Sequence, residues 1–302
     1  MSWHPVPRSA VAMPLGSRTT SALVLASVAG LLAFGWPLLL APASGLEHGV
    51  DAPLVLAAVL AGVLLVLAVA LGEGGIDVKA IAVLGLLSAV GAVLRPLSAG
   101  TGGVELVFVV IVLGGRVFGP GFGFALGSTT IFASALLTGG VGPWLPFQML
   151  AASWVGLGAG LLPRRLRGRS EVALVAGYGA LAALAFGIAM NLSFWPFQLG
   201  IGTELSFVPG DLVAANLHRF WVYSLATSLG WDVGRAVTTA VGVVILGRPV
   251  LAALRRTAAR AAFVPATPAP APRDEGPVAV AVAVAVAVAG TAPGVATRRA
   301  TP

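Results

Sequence analysis

The densest run of residues able to do chemistry is NLHRFWVYSLATSLGWDVGRAVTTAVGVVILG, Asn216 to Gly247. At helical spacing Asn216, Arg219, Tyr223 and Thr227 share one face, and Trp221, Ser224, Ser228, Trp231 and Arg235 share the adjacent one. The first half of such a helix is suited to lining a cavity. Asp232 and Arg235 stand three residues apart, where each neutralises the other and lowers the cost of holding charge in apolar surroundings. Two further roles stay open for that pair: contacting a ligand group, or linking occupancy of the cavity to a partner. Two connections are similarly marked, GGVGPWLPFQ at Gly139 to Gln148 and NLSFWPFQLGIGTELSFVPGD at Asn191 to Asp211, with W-x-P-F-Q at Trp144 echoed by W-P-F-Q at Trp195. Rings supply apolar area and amides supply orientation, which suits a flat small molecule with polar edges. The competing reading of the tryptophans is an aromatic belt at a membrane interface. Arg95, Trp144, Gln148, Asn191, Trp195, Gln198, Arg219 and Tyr223 are the candidate binding residues, and Asp232 and Arg235 the candidate intramembrane ion pair.

Other chemistries lack their parts. The chain has no cysteine, which removes disulfides, thiolate metal sites and cysteine nucleophiles. His4, His48 and His218 are too scattered for a metal cluster, and no G-x-x-x-x-G-K-[ST] phosphate loop occurs. Ser128 falls within an apolar run with no histidine at comparable depth, so it reads as a hydroxyl bonding its own helix backbone rather than a nucleophile. The expectation is a protein that is not an enzyme, holds no cofactor or metal, and draws any energy it needs from a partner that hydrolyses nucleotide.

The elements that must position these residues are membrane spans. Of 302 residues 58% are hydrophobic and 10% charged, and the mean hydropathy is +0.97, values a water-facing domain does not tolerate. The net charge of +7 lies mostly in short segments between apolar runs, which argues for topology rather than nucleic acid. Uncharged runs at Ser21 to Leu40, Ala52 to Leu71, Pro120 to Gly139, Val141 to Leu162 and Val172 to Asn191 are long enough to cross. Ala80 to Leu94 crosses if Arg95 snorkels to the interface, and Phe220 to Gly247 crosses with tilt as one helix. Leu106 to Gly115 covers only about 15 Å as a helix. Counting it as a span gives eight crossings and places both termini on the cytoplasmic side with the Arg164, Arg165, Arg167, Arg169 loop, as the positive-inside rule requires. Arg8 and Arg18 before an apolar run imitate a secretory signal, but the run is span-length and no small-residue cleavage site follows it. Pro265 to Pro302, with its VAVAVAVAVAVA repeat, reads as a disordered tail.

The expected organisation is therefore all-α: residues 1–76 as a tail and two accessory transmembrane helices, 77–262 as a six-helix core, and 263–302 as a disordered cytoplasmic tail. Gly85 with Ala89 and Ser88 with Ala92 form two small-x-x-x-small pairs in one span, either packing inside the bundle or presenting a partner interface.

The stretch GGRVFGPGFGFALGSTTIFASALLTGGVGPWLPFQMLAASWVGLGAGLLPRR, Gly114 to Arg165, and the helix HRFWVYSLATSLGWDVGRAVTTA, His218 to Ala240, resemble the substrate-binding S components of energy-coupling factor (ECF) vitamin transporters, of the type found in high-GC bacteria. The resemblance covers about Lys79 to Arg256 and implies a six-span bundle in the bacterial plasma membrane. It implies capture of a vitamin near the outer face and association with a transmembrane coupling (T) protein and two cytoplasmic ATPases. It also implies a partner-interface role for Gly85, Ser88, Ala89 and Ala92, where glycine and serine depart from the alanine-rich pattern of the family. Cobalamin or a precursor, thiamine, riboflavin and a queuosine precursor remain open as the vitamin. The alternative is a self-sufficient secondary transporter or channel with Asp232 and Arg235 coupling to an ion gradient.

Overall fold

The computed structural model describes residues 12–13, 15–39, 62, 65, 77–97, 102–142, 144–198, 203–208 and 210–261. Apart from Gly62 and Leu65, the expected second span Ala52 to Leu71 lies outside the described residues, as does the tail 263–302. The described residues are helical. The helices are α1 (Ser17–Leu39), α2 (Val78–Leu97), α3 (Val107–Phe118), α4 (Pro120–Thr138), α5 (Leu145–Leu161), α6 (Gly168–Gln198), α7 (Val213–Thr227) and α8 (Leu229–Ala261).

α2, α4, α6 and α8 are long and apolar enough to cross a membrane, and α1, α3 and α5 are shorter apolar helices. Leucine and isoleucine side chains at Leu25, Leu86, Leu97, Leu181 and Ile245 are more than 60% exposed, whereas the interior holds Ser128, Thr130, Ser153 and Thr239 at 0%. An exterior this apolar is solvated by acyl chains, so the chain is a polytopic membrane helix bundle.

α2 to α6 and α8 alternate in direction. At one end Arg116, Leu162, Glu171 and Arg255 meet, and the Lys79 Nζ donates to the Ala261 carbonyl at 3.1 Å. At the other end, Arg95, Glu105, Gln148, Asn191 and Asp232 surround a cavity. The first is called the basic end below, the second the cavity end.

α3 is 12 residues long and buried on nearly every face, including Arg116. It turns into α4 through a single residue, Gly119 at φ 99°, followed by Pro120 in the first helical turn, where a missing N–H costs nothing. Behind that turn α4 and α5 touch backbone to backbone. A Cβ on Gly123 would fall on the Gly156 carbonyl, one on Gly127 on the Ala152 carbonyl, and one on Gly160 on Gly119 and Pro120. The glycines of this region therefore set helix separation inside the bundle.

Two expectations change, and a third divides between its alternatives. Gly85, Ser88, Ala89 and Ala92 make one stripe along α2, and the edge of the bundle runs down it: Ser88 and Ala92 are buried, with Ser88 Oγ sharing a 2.7 Å hydrogen bond with Thr129 Oγ1 of α4, whereas Ala89 is exposed and Gly85 has open space beside it. The run Phe220 to Gly247 is not one helix but two, broken at Ser228. At the break Thr227 Oγ1 donates to the Tyr223 carbonyl at 2.8 Å and contacts the Ser228 hydroxyl at 3.0 Å. Ser128 does not bond its own helix: its Oγ is buried with no hydrogen-bond partner among the described residues.

Candidate binding cavity

The cavity end encloses about 290 Å³. Each wall is a different element. Arg95 comes from the last turn of α2, Glu105 from the link before α3, Phe108 from α3, Gln148 from the first turn of α5, Phe186 and Asn191 from α6, and Ser228, Trp231, Asp232 and Arg235 from the α7–α8 break. The break matters because it ends α7 beside the cavity and restarts the helix with Trp231 and Asp232 at its rim.

Arg235 organises the charges. Its Nη1 donates to Asp232 Oδ1 at 2.8 Å and its Nε to Glu105 Oε2. The guanidinium also lies 5.3 Å from the Phe186 ring centroid and 6.0 Å from that of Phe108, and these two rings meet edge to face at 4.9 Å. Asp232 has room only because residue 187 is glycine, since a Cβ there would occupy the position of its carboxylate. The link carrying Glu105 is laid over the start of α8 by Gly102 and Gly103, at φ 64° and 87°, where a Cβ on Gly103 would meet the Trp231 backbone. Arg95 donates from Nη2 to Gln148 Oε1 at 3.0 Å. Two guanidinium groups and two carboxylates thus share one space whose formal charge sums to zero.

One group is left over. The Asn191 Nδ2 is buried with no hydrogen-bond partner among the described residues, although its side chain lines the cavity. A buried amide donor without an acceptor costs roughly 1–3 kcal/mol, which a bound molecule carrying an acceptor would recover.

Of the residues singled out in the sequence, the structure brings Arg95, Gln148, Asn191, Asp232 and Arg235 together. It places the others elsewhere. Trp195 is fully buried in a side cluster with Phe220 and Tyr223, its Nε1 donating to the Leu205 carbonyl at 2.7 Å. Arg219 forms a 2.7 Å ion pair with Asp211 and donates to Asn216, which itself clasps both backbone groups of Val208. The Arg219 side chain, and then the Leu212 N–H, hold the Asp211 carboxyl below the ordinary carboxylate range. Trp144 is 39% exposed, donates to the Gly140 carbonyl at 3.2 Å and does not line the cavity. The Gln198 side chain lies outside the described residues. Sequence reasoning missed Glu105 and the Phe108–Phe186 ring pair as parts of the site. The legible signal for Glu105 was a Gly-Gly pair two positions before it, directly ahead of an apolar helix.

A family model described as "ECF transporter, substrate-specific component" matches residues 79–247, more than half of the chain. The matched region runs from the first turn of α2 into α8 and contains every cavity residue named above. The chain belongs to the family of substrate-specific components of ECF transporters. Neither the curated proteins nor the solved structures contain a significant match. The protein is accordingly a membrane-integral transporter subunit, the substrate-specific one.

Proposed function

We propose that this chain captures a vitamin or related micronutrient in the cavity bounded by Arg95, Gln148, Asn191 and the Asp232–Arg235 pair, and passes it inward through a T protein driven by two ATPases. The observation that carries this reading is the meeting of five polar side chains from four helices, with the Asn191 donor unpaired, at one end of an otherwise apolar bundle. Polar groups at membrane depth are retained where they serve a substrate. The cavity stands near the lower bound of the roughly 300–1,000 Å³ typical of small-molecule sites, which favours compounds of one to three rings, such as thiamine, riboflavin or a queuosine precursor, over a macrocycle the size of cobalamin.

We place the cavity end on the outer side of the bacterial plasma membrane. Arg165, Arg167, Arg169, Arg248, Arg256 and Arg260 are exposed toward the basic end, and such residues stay on the cytoplasmic side of a bilayer. Gly85 and Ala89, open on the outer surface of α2, are the half of the small-residue pattern available to a coupling protein, while Ser88 and Ala92 serve the bundle. The alternative of an ion-gradient transporter gains no support from the site, because Asp232 is already engaged by Arg235.

Native mass spectrometry and calorimetry of the purified full chain test the reading. A stoichiometric small molecule, displaced by a vitamin with micromolar or tighter affinity, is expected. Absence of any bound vitamin, together with failure of a T protein to copurify, would overturn it.

A further inference from the structure

Resting on the capture reading, the cavity also carries information about what kind of molecule it accepts. Its ionic groups already balance: Arg235 is held by Asp232 and Glu105, and Arg95, which donates to the neutral Gln148, brings the formal charge of the cavity to zero. A ligand anion or cation would upset that balance, and a cation would also have to draw a carboxylate from Arg235. Either leaves an uncompensated, poorly hydrated charge in the cavity, which is how a site selects against charged competitors. Asp232 and Arg235 are little exposed, their side chains at 10% and 12%, so water does not absorb that imbalance.

The uncommitted group is a neutral amide. Asn191 lines the cavity with Nδ2 unpaired, and no hydrogen bond engages its Oδ1 among the described residues. A side-chain amide presents a donor and an acceptor side by side, the complement of the C=O/N–H edge of a lactam or carboxamide. Gln148 points the same way, since Arg95 occupies its oxygen and leaves its NH2 as a second donor. Around these lie apolar surfaces from Ile131, Met190 and the half-exposed Trp231, against which a ring can rest.

We propose that the cavity takes an uncharged ring compound whose lactam or carboxamide edge pairs with Asn191, and discriminates against carboxylates and organic cations. Sites built to satisfy a specific hydrogen-bonding edge reject analogues that lack it far more strongly than apolar pockets reject a change in size.

The test uses the full chain in lipid nanodiscs and isothermal calorimetry at neutral pH, with riboflavin, lumichrome and nicotinamide as uncharged amide-edged probes, and nicotinate, biotin, pantothenate and thiamine as charged ones. The expected result is that the tightest binder is an uncharged probe, that nicotinamide binds better than nicotinate, and that Asn191→Asp, which keeps the shape but removes the donor, weakens that binder at least about tenfold. A charged probe that binds tightest, or an Asn191→Asp variant with unchanged affinity, overturns the proposal while leaving substrate capture standing. The wild-type ranking is informative even if the variant fails to fold. If no probe of either kind binds and no small molecule copurifies, capture itself fails and the proposal with it.

Discussion

The two ends of the bundle hold mirror-image charge clusters. At the basic end one carboxylate serves two guanidinium groups: Glu171 accepts from Arg116 Nε at 2.8 Å and from Arg255. Arg116 also donates from Nη1 and Nη2 to the Leu162 and Pro163 carbonyls at 2.8 and 3.1 Å. At the cavity end one guanidinium serves two carboxylates, Arg235 between Asp232 and Glu105, with an unpaired amide a short way off. The ingredients are the same and the degree of satisfaction differs. Arg116 and Glu171 are each only 2% exposed and every nitrogen of Arg116 is engaged, so their cluster ties α3, α6, α8 and the α5–α6 loop together and is closed to a ligand. The cavity cluster is partly open, Glu105 being 26% exposed, and it includes a group that waits for a partner. Completeness of hydrogen bonding, rather than the presence of charge, separates a clamp from a binding site.

The sharpest way to break this contrast is to delete the shared carboxylate. Glu171→Gln should destabilise the bundle by about 3–5 kcal/mol, because the buried Arg116 loses its counter-charge and the partly exposed Arg255 loses the same partner. Thermal unfolding in detergent reads this as a large fall in Tm. A shift no bigger than that of a surface variant would remove the clamp from the account. Next in size, Arg95→Met should weaken ligand binding by roughly 1.5–3 kcal/mol, on the order of 10- to 150-fold in Kd, while Tm barely moves. Equal losses of affinity and Tm would make Arg95 a structural residue instead. Smaller again, Glu105→Gln should cost about 1 kcal/mol or less in stability, since Glu105 is partly solvated and Arg235 keeps Asp232. A Tm fall rivalling that of Glu171→Gln would erase the difference between the two ends.

The smallest effect concerns acid. The Asp211 carboxyl is held below its ordinary value by Arg219, so its folded-state pKa is lower than its unfolded one. Its contribution is fully present above the unfolded value, near pH 4, and is lost as pH falls through the folded value. Limited proteolysis of the 203–212 connection should quicken in the wild type as pH falls below about 4, and Asp211→Asn should be cut at the faster rate throughout. Identical pH profiles for the two would remove the clasp from consideration.

How far the sequence anticipated this molecule follows from which forces act locally. α2, α4 and α6 were legible because an uncharged run of span length has few alternatives in a membrane. The break at Ser228 was not, since the run is apolar on both sides of it and hydrophobic periodicity does not register a change of backbone at one serine. Arg95, Gln148 and Asn191 could be placed in one site because each is a polar residue at the same end of an apolar helix. The paired W-P-F-Q motifs misled: Trp144 precedes the first turn of α5, whereas Trp195 sits in the last turns of α6. The same letters at opposite ends of a helix project differently, sending one ring outward and the other into a side cluster. Arg116 escaped notice for a related reason, because its carboxylate partner is 55 residues away and only folding brings them together.

The brevity of α3 has one more consequence. Twelve residues rise about 18 Å, against roughly 30 Å of hydrocarbon, and neighbouring helices sheathe α3 so thoroughly that neither end is obliged to reach a headgroup. The floor of the cavity, at Val107 and Phe108, is the upper end of that short strut. A molecule resting on it would lie inside the bundle rather than at its rim, separated from the basic end by only the length of that strut.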